Sequence, residues 1–218
     1  MAYDLEEQEQ IASLQAFWNK YGNLITWVLI IALGSYAAWN FWTYRQRSQA
    51  AEASALFDQM QDARVREKNN VKAQRIAADV ESKYEHSAYA QMSALAAAKS
   101  AFDAADLKTA KAQLQWAIDH GNDEYQSVAK LRLAGVLLDE KAYDEALKVL
   151  GTTFLPQFAG EVADRKGDVL VAQNKVVEAR AAYQAALAAM DKKNPGRQLV
   201  QLKLEAIGGV VAEAKAAA

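Results

Sequence analysis

The chain has 218 residues, of which 52% are hydrophobic, and 25 Lys and Arg face 27 Asp and Glu for a formal net charge of −2. That balance implies no basic face of the kind on which nucleic-acid binding depends. With no cysteine, disulfides, thiol catalysis and zinc–thiolate sites are excluded. Ten glycines and two prolines are sparse punctuation, which favours long helices over many turns.

Residues 1–20 read as a short acidic leader carrying Asp4, Glu6, Glu7 and Glu9. Ile11, Leu14, Phe17 and Trp18 fall on one stripe at helical spacing, so this piece is expected to lie along a membrane surface or to continue the helix after it. From residue 21 to residue 44 no Asp, Glu, Lys, Arg or His occurs. Leu24 to Trp42 would span about 28 Å as a helix, close to the hydrocarbon thickness of a bilayer. Aromatic side chains suited to headgroup level border the run, with Trp18 and Tyr21 on one side and Trp39, Phe41, Trp42 and Tyr44 on the other. Lys20, Arg45 and Arg47 can snorkel at the two borders. Residues 21–44 are therefore expected to form a transmembrane helix. The acidic leader lacks the positive start of a signal peptide and the apolar run is too long for one, so the segment is read as a retained anchor.

Residues 45–218 are expected to form one all-α domain, preceded by an anchor helix that continues to about Glu67 and breaks at Asn69-Asn70. Amphipathic helices follow over Val71–Tyr84, Ala88–Phe102, Leu107–Ile118, Glu124–Leu138, Tyr143–Leu150, Gly160–Ala172, Val176–Met190 and Gln198–Ile207. His120-Gly121-Asn122, Gly151, Pro156, Gly160, Asn174 and Asn194-Pro195-Gly196 mark the breaks.

A repeat lies beneath these helices. Ala110, Ala146 and Ala179 are spaced by 36 and 33 residues; twelve residues earlier stand the small residues Ala98, Ala134 and Gly167, and four residues later the large ones Leu114, Leu150 and Tyr183. Tyr143 also falls where the repeat needs packing. This is the tetratricopeptide pattern, in which a helix hairpin that cannot bury its apolar face alone stacks on its neighbours. A degenerate hairpin at about residues 48–84 and a C-terminal capping helix are expected to close the ends.

Candidate chemistry is scarce. His86 and His120 both fall in expected inter-helix turns without a second ligand at helical spacing, so they read as solvated. Asp139-Glu140 and Asp144-Glu145 read as solvated helix faces. No phosphate loop, GxSxG or HExxH occurs. Neither a cofactor nor a metal is expected, and no polar pocket with a perturbed titratable group is suggested. Trp116 and Tyr125 flank a helix junction and are the candidates for lining a protein-binding groove.

In its order of parts the chain resembles the YfgM family of ancillary subunits of the bacterial Sec translocon. The resemblance is carried by Phe17 to Trp42, by Leu131-Arg-Leu-Ala134 running into Ala142-Tyr-Asp-Glu-Ala-Leu147, and by Ala163-Asp-Arg-Lys-Gly167 leading to Ala179-Arg180. It implies a non-enzymatic inner-membrane protein with a cytoplasmic N-terminus and a periplasmic repeat domain. It also implies association with SecYEG, with a PpiD-type periplasmic chaperone and with translocating polypeptides. The flanking charges point the other way. Lys20 is the lone basic side chain before the anchor and Arg45 and Arg47 follow it, which by the positive-inside rule favours a cytoplasmic, membrane-tethered scaffold.

Overall fold

The computed structural model describes residues 3–210. Residues 1–2 of the leader and 211–218 of the repeat domain lie outside the described residues. Among those described the chain is all-helical, with no strand. It divides into two compact units, Met1–Ala51 and Glu52–Ala218.

The first helix, α1 (Tyr3–Val65), takes in the leader, the apolar run and the start of the second unit. Among the described residues it is the one helix long and apolar enough to cross a membrane. Its apolar side chains, from Leu24 through Trp27, Ile30 and Leu33 to Trp42, are exposed, as a lipid-facing helix requires.

The second unit consists of the end of α1 followed by α2 (Asn70–Lys83), α3 (Ala88–Asp103), α4 (Leu107–His120), α5 (Asp123–Asp139), α6 (Tyr143–Leu150), α7 (Ala159–Ala172), α8 (Val176–Ala189) and α9 (Arg197–Ala206). Short polar side chains start the early helices by accepting otherwise orphaned N–H groups: Asn69 from Lys72, Ser87 from Ala90, Asp106 from Thr109, and Asn122 from Glu124 and Tyr125. A 3-10 turn, Pro156–Phe158, leads into α7. One expectation is corrected here. His120 is the last residue of α4 rather than part of a turn, because its Nδ1 lies 2.9 Å from the Trp116 carbonyl and its ring stacks on Trp116 at 4.5 Å. His86 stays in the exposed turn between α2 and α3.

The repeat is written into the backbone. Lys68, Ala105, Lys141 and Asn174 all have left-handed φ values of 51°, 59°, 62° and 61°. They recur every 37, 36 and 33 residues, each in the turn inside a hairpin. In the last three, the N–H of the next residue reaches back five positions: Asp106 to Ala101, Ala142 to Leu137 and Lys175 to Leu170. The left-handed residue itself bonds three positions back, to Phe102, Leu138 and Val171. This is the Schellman ending, which satisfies the last carbonyls of one helix and turns the chain into the next. Counted from these residues, Ala73 and Ala77 of α2 occupy the places of Ala110 and Leu114, Ala146 and Leu150, and Ala179 and Tyr183. The hairpin made by the end of α1 and α2 thus keeps the register of the other three.

Among the described residues, three apolar clusters fill the stack. Met60, Ala63, Ala73, Ala77 and Ala97 pack at the front, with small side chains that let helices approach closely. The main cluster runs from Ala94 on α3 to Val169 on α7 through Leu114, Ala134 and Leu150. Tyr183, Leu187 and Met190 meet Val200 and Leu204 of α9 at the back.

Candidate functional site

The first helices of successive hairpins, α3, α5 and α7, pack side by side. They frame a cleft of about 370 Å³ whose lining includes Lys99, Phe102, Arg132, Val136, Asp139 and Arg165. Arg132 and Arg165 are 33 residues apart, the repeat spacing, so they hold the same position on α5 and α7. A Cβ built on Gly135 would lie 3.8 Å from Arg165 Nη1, so the Arg165 head crosses α5 one turn beyond Arg132. Lys99 is paired with Asp103 on its own helix. Arg165 has Asp168 at 3.6 Å.

Arg132 differs from the other two. Among the described residues no carboxylate lies within ion-pair distance of it, and its one hydrogen bond runs 3.4 Å from Nη1 to the Leu95 carbonyl. Its side chain is exposed in the cleft, yet the walls remove part of the hydration of the guanidinium and lower its pKa.

A second polar group sits between the hairpins. Glu81 of α2 is 8% exposed and its Oε1 has no partner. Burial pushes its pKa up to about 7, against the lowering effects of a Gln113 hydrogen bond and the charge of His120. Glu85 lies 3.5 Å from His120. Sequence reasoning missed Glu81, although it stands eight residues after Ala73 and four after Ala77 on the buried stripe of α2.

At the back, Lys203 of α9 reaches Asp164 at 2.9 Å and Asp168 at 2.8 Å on α7. The Tyr183 hydroxyl donates to Asp168 at 2.9 Å. Burial, followed by the Asp168 charge, holds the phenol well above its usual range. This network ties the capping helix to the last hairpin.

The residues singled out from sequence fall as follows. Ala98, Ala110, Leu114, Ala134, Ala146, Leu150, Gly167, Ala179 and Tyr183 are buried, and Tyr143 is half-buried against the main cluster. Trp116 and Tyr125 are also half-buried against that cluster, and neither lines the cleft. Trp18, Tyr21, Trp39, Phe41, Trp42 and Tyr44 are exposed on α1. Among the described residues no group of His, Asp and Glu side chains is placed to hold a metal.

Anchor and stack define a class: a helical-repeat protein carried on a single apolar helix. A family model described as a tetratricopeptide repeat-like domain matches residues 15–209. The chain is 35% identical to a Neisseria gonorrhoeae protein over 95% of its own length and 100% of that protein. It is 30% identical to one from Haemophilus influenzae over 85% and 91%, and 29% identical to one from Escherichia coli over 82% and 86%. Each of these relatives is named as an ancillary SecYEG translocon subunit. No solved structure matches the chain significantly. The chain belongs to the YfgM family of tetratricopeptide repeat-like proteins.

Proposed function

We propose that this chain is a non-enzymatic ancillary subunit of the SecYEG translocon. In this reading residues 1–20 face the cytoplasm, residues 21–44 span the inner membrane, and residues 45–218 form a periplasmic domain that passes newly translocated polypeptides to chaperones of the PpiD type. The observation that carries it is the alignment with the Neisseria gonorrhoeae relative, which spans that protein's full length and 95% of this chain. The supporting physics is simple. A tethered helical stack works at high local concentration near its client, so weak contacts suffice.

Two measurements test this. Digestion of the repeat domain in intact spheroplasts, together with recovery of SecYEG on the tagged full chain, supports the reading. Protection until lysis overturns the topology, and failure to recover SecYEG under mild solubilisation overturns the partner. The flanking charges at Lys20, Arg45 and Arg47 favour a second reading, a cytoplasmic membrane-tethered scaffold for another complex, which protection until lysis would install instead.

A further inference from the structure

The cleft framed by α3, α5 and α7 contains an arginine that none of the described residues neutralises. Arg132 has no carboxylate within reach among the described residues, and its bond to the Leu95 carbonyl is long. A guanidinium carries five donors in a planar fork, so most of its hydrogen-bonding capacity is unused by the protein. Arg165 reaches the same stretch of α5 from the next repeat, over Gly135, whose missing side chain leaves that stretch open. Gly135 stands three residues from Arg132, about 4.5 Å along the helix axis. The two heads can therefore bracket one small anion.

The other charges in the cleft give it a direction. Lys99 is engaged by Asp103, and Arg165 shares Asp168 with Tyr183 and Lys203. Asp139 is exposed at the far end, seven residues or about 10 Å along α5 from Arg132. It is too distant to neutralise Arg132, and it makes that end repel acids. Next to the cations lies an apolar wall in which Phe102 remains 38% exposed.

We propose that this cleft binds an extended segment of a partner polypeptide by one Asp or Glu side chain held between Arg132 and Arg165, with a neighbouring apolar side chain laid on Phe102. The proposal rests on the reading of the repeat domain as a polypeptide-binding module and adds the place and chemistry of the contact. Charge complementarity selects the occupant. A purely apolar segment leaves Arg132 partly desolvated and unpaired, whereas a carboxylate converts it into a charge-assisted, bidentate pair.

The test uses the full chain in detergent micelles and two fluorescent peptides about eight residues long, blocked at both ends. One carries a single Leu-Glu pair among Ser and Ala; the other carries Leu-Gln in its place. Anisotropy titration is expected to give about ten- to hundredfold tighter binding of the Glu peptide, the range for a charge-assisted contact. The preference is expected to shrink with salt and to vanish in the Arg132→Gln, Arg165→Gln double variant. Equal binding of the two peptides by the unaltered chain overturns the proposal, as does no saturable binding of either. Neither result depends on a variant folding. Gly135→Leu, which keeps both arginines and fills the space between them, should also lose binding; full retention there overturns the assigned position. Recovery of SecYEG on the unaltered chain is scored separately, so a failed cleft and a failed translocon reading are told apart.

Discussion

Gly167 on α7 faces the ring of Tyr183 on α8 so closely that a Cβ on Gly167 would stand under 3 Å from three atoms of the ring. The ring cannot swing away freely, because its hydroxyl is bonded to Asp168. Gly167→Ala is therefore expected to destabilise the domain by about 1–3 kcal/mol, the range for overpacking a core. Thermal melting should show a fall of several degrees. Gly135→Ala is the matched control. Its new methyl meets nothing nearer than Arg165 at 3.8 Å, so helix propensity should make it neutral or stabilising by up to about 1 kcal/mol.

Lys203 holds Asp164 and Asp168 together across the α7–α9 contact. Lys203→Met would leave two partly buried acids side by side, at an expected cost of about 1–3 kcal/mol, reduced from the fully buried case by the remaining exposure. Burial already raises Asp164, and removal of the Lys203 hydrogen bond would raise it further. The loss should thus be smaller at acid pH, where one proton relieves the repulsion. Hydrogen exchange of α9 as a function of pH checks both points.

Glu81 makes stability depend on pH in the sense opposite to an ordinary salt-bridged acid. Its folded pKa is about 7 against an ordinary 4.5. The native state therefore holds the proton more tightly, and the stability from that proton is complete below about pH 4.5 and lost as pH rises through about 7. Glu81→Gln keeps the shape and removes the charge. The unaltered protein should lose on the order of 2–3 kcal/mol relative to this variant between pH 5 and pH 8. Chemical denaturation at several pH values reads the difference; parallel pH profiles would show that Glu81 is solvated.

The left-handed turns offer a stabilising change. Ala105 and Lys141 sit at φ values of 59° and 62°, where a Cβ is strained and glycine is not. Lys141→Gly should raise stability by up to about 1 kcal/mol, with relief of strain exceeding the added freedom of the unfolded chain. At position 174 the residue is already Asn, which tolerates this region better. Asn174→Gly is expected to gain less, and comparison of the two melting curves decides it.

What the chain determines by itself is what depends on residues near one another in sequence. The uncharged run before Arg45 specifies a membrane helix by length and polarity. The helical period and the recurrence every 33 to 36 residues specify an all-α repeat, because each hairpin leaves an apolar face that another like it can cover. Helix starts such as Asn69, Ser87 and Asp106 are legible for the same local reason.

Neither the cleft nor the buried acid is local. Arg132 and Arg165 stand in two of the stretches that carry the family resemblance, yet the reach of Arg165 over Gly135 of α5 depends on how far α5 and α7 approach. Only packing sets that distance. Glu81 occupies a place on its helix that an alanine could fill, and its pKa is raised by burial between hairpins, against the lowering effects of Gln113 and His120 on α4, more than thirty residues away. His120 shows the same rule on a smaller scale. Gly121 behind it suggests a turn, but stacking on Trp116 accompanies an α4 that runs two residues past the expected end at Ile118. Sequence specifies which faces must be covered; only the stacked structure decides which charged groups lose their water, because desolvation is a property of neighbours brought from elsewhere in the chain.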